Sequence, residues 1–150
     1  MDRQNGFTLI EVVCVLAIVA LLATIALPAM PTGTTQSRLA GYAVQVATFL
    51  KADRNIAIRR GEMVSTSLNS VSRLVRSGAG EGAVRLPHDV AFDAILAERC
   101  GGRPTGSTID FFPNGSSCGG TITLARQGAG FQIRVNWLTG GVEIVTLGKT

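Results

Sequence analysis

Residues 6–30 read GFTLIEVVCVLAIVALLATIALPAM, an apolar run broken by one charged side chain, Glu11. From Phe7 to Met30 the run is long and apolar enough to cross a bilayer, which takes about 20 apolar residues, so the sequence predicts a membrane helix. An ordinary secretory signal places its small-residue cleavage site behind the apolar stretch. Here the small residue, Gly6, stands in front, behind the polar leader MDRQN, whose Arg3 favours a cytoplasmic location. A carboxylate inside an apolar span costs about 2.5–3.5 kcal/mol on insertion scales. Cutting after Gly6 creates a compensating charge, the α-amino group of Phe7, which can face Glu11 of a neighbouring molecule. The other account of Glu11, a stray acid snorkelling to water, leaves the placement of Gly6 unexplained.

Working outward, Gly6 to Val12 (G-F-T-L-I-E-V) followed by an apolar helix resembles the class III prepilin signal of type IV pilins and type II secretion pseudopilins. The resemblance implies cleavage by a prepilin peptidase after Gly6, methylation of Phe7, and subunit docking through Glu11. It also implies a helix break at Pro28, which elementary chemistry supports, since proline removes a helix hydrogen bond. Pro31 and Gly33 deepen the break.

Beyond Gly33, Leu39, Tyr42, Ala43, Val46, Phe49, Leu50, Ile56 and Ala57 recur at steps of three and four, predicting an amphipathic helix. Thr34, Thr35 or Ser37 serves as N-cap, and Arg59, Arg60 and Gly61 supply a basic last turn and a stop. After Gly61 the period shortens to β-like runs at 63–68, 72–75, 84–86, 109–112, 121–125, 131–137 and 142–147. Turn chemistry at Pro113-Asn114-Gly115, at 127–130 and at Thr139-Gly140-Gly141 predicts a C-terminal antiparallel meander. Residues 77–82 read as a glycine-rich loop, and 93–98 as either a helical turn or a short edge element.

The block IDFFPNGSSCGGTITL (109–124) with FQIRVNWLTGGV (131–142) is similar to the H-type minor pseudopilins of type II secretion and to related FimT-like minor pilins. That likeness implies an α+β, pilin-like fold, a long N-terminal helix packed on an antiparallel β-sheet head. It divides the chain into leader 1–6, transmembrane and filament-core helix 7–30, amphipathic half-helix 31–60 and periplasmic head 61–150. The implied function is a minor pseudopilin near the tip of a secretion pseudopilus, in the bacterial inner membrane as a single-pass protein. Because the extreme tip subunit of this family commonly lacks the fifth-position acid, the retained Glu11 implies a place below the cap. Its partners would be other pseudopilins, the prepilin peptidase and the inner-membrane assembly platform. The alternative is a FimT-like minor type IV pilin for pilus assembly or DNA uptake.

The remaining chemistry is sparse. With 14 Lys+Arg against 10 Asp+Glu the net charge is +4, and the arginines are scattered rather than clustered. Together with a tail whose only cation is Lys149, this speaks against nucleic-acid binding. Cys14 reads as a small packing residue, since no lipobox precedes it. Cys100 and Cys118 both fall in the head, where an oxidising setting favours a bridge, although the related proteins often lack a cysteine at the second position. One histidine and no Cys-x-x-Cys argue against a metal site. His88, between Pro87 and Asp89, has no nucleophile placed beside it by motif, and no phosphate-binding glycine motif occurs. No cofactor and no catalytic residue are expected.

Overall fold

In the computed structural model, residues 6–26 and 33–148 are described. Pro28, Pro31, Lys149 and the leader residues before Gly6 lie outside them. The chain forms two compact units, 1–32 and 33–150.

The first unit holds α1 (Leu9–Ala26). Thr8 opens it, its carbonyl accepting the N–H groups of Glu11 at 3.0 Å and Val12 at 3.3 Å. Among the described residues no helix is long and apolar enough to cross a membrane. The 18 residues of α1 rise about 27 Å at 1.5 Å per residue, against a hydrocarbon core of about 30 Å. Residues 27–30, which complete the run read from the sequence, are outside the described residues.

The second unit begins with α2 (Gln36–Arg60), capped by the Thr35 hydroxyl, which accepts the Arg38 N–H, and ended by Gly61 in the left-handed region at φ 67°. Its buried positions, Leu39, Ala43, Val46, Ala47, Leu50, Asp53 and Ala57, form one stripe at helical spacing. Ten strands follow: β1 (Val64–Asn69), β2 (Leu74–Arg76), β3 (Ala83–Arg85), β4 (Ala91–Leu96), β5 (Arg99–Cys100), β6 (Arg103–Pro104), β7 (Thr108–Phe111), β8 (Gly120–Arg126), β9 (Ala129–Val135) and β10 (Val142–Leu147). They build two four-stranded sheets, β3-β2-β1-β7 and β10-β9-β8-β4, with β5-β6 as a small hairpin; every pairing is antiparallel.

The segment 91–96 is thus an edge strand rather than a helical turn. The run 131–137 stops at Val135, because Asn136 turns the chain before Trp137 can extend the strand. Alternation puts Val64, Thr66 and Leu68 of β1 and Ile122 and Leu124 of β8 inward. With Ile109, Phe111, Ile133 and the α2 stripe they make one core between helix and sheets. The second unit is thus α+β, with α2 packed on antiparallel sheets.

Candidate functional site

The first turn of α1 carries the residues that the sequence singles out. Gly6 is exposed, with open space where a side chain would stand. Phe7 is exposed, and Phe7, Glu11, Val12, Val15 and Leu16 line one shallow apolar hollow on a single face of the helix. Glu11 sits in the first turn, where the partial positive charge of the helix N-terminus favours an acid. Among the described residues no donor reaches its carboxylate. Every side chain of α1 from Leu9 to Thr24 is exposed. Such a helix leaves its apolar surface for something outside the chain to cover. Cys14 is free and exposed in the same helix.

In the head, Cys100 of β5 and Cys118, just ahead of β8, form a disulfide with Cα atoms 5.6 Å apart. It fastens the 97–107 excursion to the segment between β7 and β8, where the Cys118 N–H donates to the Asp110 carbonyl of β7 at 2.9 Å. Behind it, Cys118 Sγ lies 3.8 Å from Asp110 Oδ2.

The carboxylate of Asp53 is a residue that the sequence reading missed. It is wholly buried in the middle of the α2 stripe. There it accepts hydrogen bonds from the hydroxyls of Thr66 and Ser77, from the Gly78 N–H at 3.1 Å and from the Ala79 N–H at 3.0 Å. The glycine-rich loop is thereby clamped onto the helix. At Gly78 a Cβ would strike the Ser65 carbonyl, so the loop closes only with glycine there. The available signal was spacing: Asp53 stands three residues after Leu50 and four before Ala57, within an apolar stripe.

A second polar clasp fixes the start of α2. Asp89 accepts the Thr34 N–H at 2.8 Å and the Thr34 hydroxyl at 2.9 Å, and pairs with Arg126 Nε at 2.8 Å. Arg126 also donates to the Thr34 carbonyl. The Thr34 N–H bond first, and then the Thr34 hydroxyl and the Arg126 charge, hold the Asp89 carboxyl below its ordinary range against the opposing effect of desolvation.

Among the described residues no catalytic constellation accompanies these features. His88 and Ser72 line the same hollow with Arg73, Arg85, Leu86 and Pro87, yet among the described residues no hydrogen bond joins them and no acid orients the imidazole. Among the described residues no cluster of three or more His, Cys, Asp or Glu side chains is placed to hold a metal.

Against known proteins, residues 1–27 match the family model of the prokaryotic N-terminal methylation motif, and residues 43–140 match that of type II transport protein GspH. A curated relative, type II secretion system protein H of Xanthomonas campestris pv. campestris, is 29% identical over 140 residues, spanning 93% of this chain and 82% of the relative. The minor pseudopilin EpsH of the Vibrio cholerae type 2 secretion system superposes with a TM-score of 0.54 at 12% identity, over 69% of this chain and 93% of that one. The Pseudomonas aeruginosa type IV minor pilin FimU gives a TM-score of 0.54 at 13% identity, over 73% of this chain and 89% of that one. At such identities the two superpositions speak for the fold alone.

Proposed function

The chain belongs to the type II transport protein GspH family, and from that premise we propose that it is a minor pseudopilin subunit of the type II secretion pseudopilus. The observation that carries this reading is the combination, in one chain, of the methylation motif over residues 1–27 with the GspH region over 43–140. As a structural subunit it associates with other pseudopilins and supports export of proteins across the outer membrane.

The finer assignment is ours. A prepilin peptidase cuts between Gly6 and Phe7 and the new amino group is methylated. The run from Phe7 to Met30 anchors the subunit in the inner membrane as a single pass, with the head in the periplasm, until the assembly platform moves it into the filament. Pro28 loosens the helix there. The Glu11 carboxylate, for which the described residues supply no donor, pairs with the Phe7 ammonium of a neighbouring subunit. In a low-dielectric setting that attraction is strong, but desolvation offsets much of it, so the pair sets register more than affinity. The subunit lies near the tip but below its cap. Catalysis has no place in this role.

Intact-mass analysis of the membrane-extracted protein tests the assignment: a chain beginning at methylated Phe7 is expected, and one beginning at Met1 or beyond Pro28 overturns it. Glu11→Leu should be cleaved normally yet enter filaments poorly and depress secretion. Normal assembly and export by Glu11→Leu would remove the charge pair from the account. The alternative, a minor type IV pilin, has in its favour the equal fold likeness to FimU. Deletion separates the two: loss of exported proteins from the medium supports the secretion subunit, whereas loss of piliation or DNA uptake with export intact supports the pilin.

A further inference from the structure

One sheet of the head ends on an open strand. β10 pairs with β9 from Val142↔Val135 to Leu147↔Gly130 and is the last strand of its sheet. Among the described residues no backbone hydrogen bond reaches its other side. Sheets usually blunt such edges with Lys, Pro, a bulge or shortness. The edge strand β3 has three residues and carries Arg85, and β7 has four and runs soon into Pro113. β10 has six, Val-Glu-Ile-Val-Thr-Leu, and β4 at the other edge of its sheet also has six, Ala-Phe-Asp-Ala-Ile-Leu; neither holds Lys, Arg or Pro. Cover separates the two edges: Ile122 and Ile133 are fully buried, whereas Ile144 of β10, directly opposite Ile133, is 38% exposed. Of the inward apolar residues of β10, Val142 packs on the core and Ile144 does not, whereas at the opposite edge Phe92, Ala94 and Leu96 of β4 all do.

The turn leading into β10 adds an anchor. Trp137 and Leu138 are 66% and 64% exposed on a pinned backbone. The Asn136 side-chain oxygen accepts the N–H groups of Leu138 at 2.9 Å and Thr139 at 3.0 Å. Asn136 N–H donates to the Gly141 carbonyl and Ser117 N–H to the Trp137 carbonyl, both at 2.9 Å. A large rigid aromatic held out by a prearranged turn loses little entropy on docking.

We propose that the β10 edge and the Trp137-Leu138 turn form one docking strip, occupied by an extended strand of a different protein chain that carries a basic residue facing Glu143. The occupant must be extended because only backbone in the β conformation satisfies a row of edge N–H and C=O groups in register. It differs from this chain because none of the chain's own edge strands fits: β10, β4 and β7 hold no cation and would offer Glu143 no counter-charge, and β3, which carries Arg85, has three residues against the six of β10. Arg134, across the ladder from Glu143, donates instead to the Gln132 side chain at 2.7 Å. The proposal rests on the filament reading only for where the partner is sought.

The test uses the full chain in the cell that makes it, with a photo-crosslinking residue at Leu138, at Ile144 or, as comparison, at Ile95, which is 68% exposed on β4. Retention of the Cys100–Cys118 bridge, read by thiol labelling without reductant, certifies each head as folded. Leu138 and Ile144 should give adducts with the same protein, their peptides mapping to an extended Lys- or Arg-bearing segment, and Ile95 about fivefold less or none. Glu143→Lys should cut the Leu138 adduct about tenfold, and the milder Glu143→Gln by less. The proposal is overturned by equal yield from Ile95, by adducts of this chain with itself, by peptides from a helix, or by indifference to Glu143→Lys. If the partner strand is found on a protein that is neither a pilin-like subunit nor part of the peptidase and assembly platform, docking stands and the filament reading falls.

Discussion

Each of the two helices carries one acid, and the two are treated in opposite ways. Glu11 in α1 is exposed on an apolar face, with no donor among the described residues. Asp53 in α2 is fully buried with four donors around it. Both positions look anomalous in sequence, since acids are rarely placed on apolar helix faces. A buried charge persists only when its lone pairs are satisfied, and for Asp53 this chain supplies every partner. For Glu11 the described residues supply none, and in the role proposed above its partner is the Phe7 ammonium of a neighbouring subunit. The satisfied acid builds the head, and the other stands exposed on its helix.

That contrast breaks if the two acids are interchangeable in effect. Asp53→Ala leaves two hydroxyls and two N–H groups in the interior without their acceptor, each unsatisfied group costing about 1–3 kcal/mol. The losses overlap, and we expect about 3–5 kcal/mol of head stability to disappear, with the midpoint of thermal unfolding falling by more than about 10 °C. Glu11→Leu should leave that midpoint unchanged in the detergent-solubilised chain while reducing incorporation into filaments. An Asp53→Ala head that melts like the wild type would show that the 77–82 loop is held by the approach of Gly82 to Phe49 and of Gly78 to Ser65, not by the carboxylate.

The disulfide sharpens the comparison, because it too belongs to the head. Closing a loop between Cys100 and Cys118, 18 residues apart, contributes about 3 kcal/mol by restricting the unfolded chain. Denaturant unfolding with and without reductant should differ by that amount. Cys118→Ser should match the reduced protein. A difference below about 1 kcal/mol would mean that the 97–107 excursion is held by its own contacts, such as the Thr105 hydroxyl donating to the Ala97 carbonyl.

The turn that presents Trp137 should respond less. Gly140 has φ 63°, and a Cβ there would meet the Gly115 carbonyl and stand 2.8 Å from Arg54 Nε. Arg54 in turn donates to that carbonyl at 3.0 Å. Gly140→Ala combines a left-handed backbone with a collision against a pinned carbonyl, and we expect about 1–2 kcal/mol of destabilisation. Blue-shifted or broadened emission from Trp137, the only tryptophan, would report the displaced turn.

What could be read from the sequence divides along the same line. α2 was legible because Leu39 to Ala57 repeat at helical spacing between a Thr cap and a Gly stop, and β8 to β10 because alternation and turn residues agree. The inner faces of both sheets follow from that alternation. Asp53 was hidden, since its donors come from β1 and a loop 13 to 26 residues away and no local pattern announces them. Trp137 was misplaced because its β propensity outweighed the Asn136 side chain, whose two bonds to the backbone end the strand early. Thr34, Asp89 and Arg126 met only through folding, across 55 and 92 residues. The features of α1 were the reverse case: Gly6, Phe7 and Glu11 are close in sequence, and the roles proposed for them involve other proteins, so the structure of one chain adds exposure and little else.

The smallest effect concerns the clasp at the start of α2, and its sign follows from charge. The folded Asp89 carboxyl is held below its ordinary value, first by the Thr34 N–H and then by the Thr34 hydroxyl and Arg126. A group depressed in the folded state contributes stability above its unfolded value, and that contribution is lost as pH falls through the folded value. At neutral pH, Asp89→Asn should therefore melt below the wild type, because an amide offers Thr34 a single acceptor and Arg126 no charge. The gap should close progressively as pH drops below about 4, the ordinary carboxylate range. His88, next in the chain, is present in both proteins and cancels in the difference. Both partners of the ion pair keep part of their surface in water, so added salt should narrow the gap at neutral pH without abolishing it, since the Thr34 bonds are not screened. A gap that stays constant down to pH 2 would mean that Asp89 acts by shape alone. The start of α2 would then be fixed by Arg126 donating to the Thr34 carbonyl.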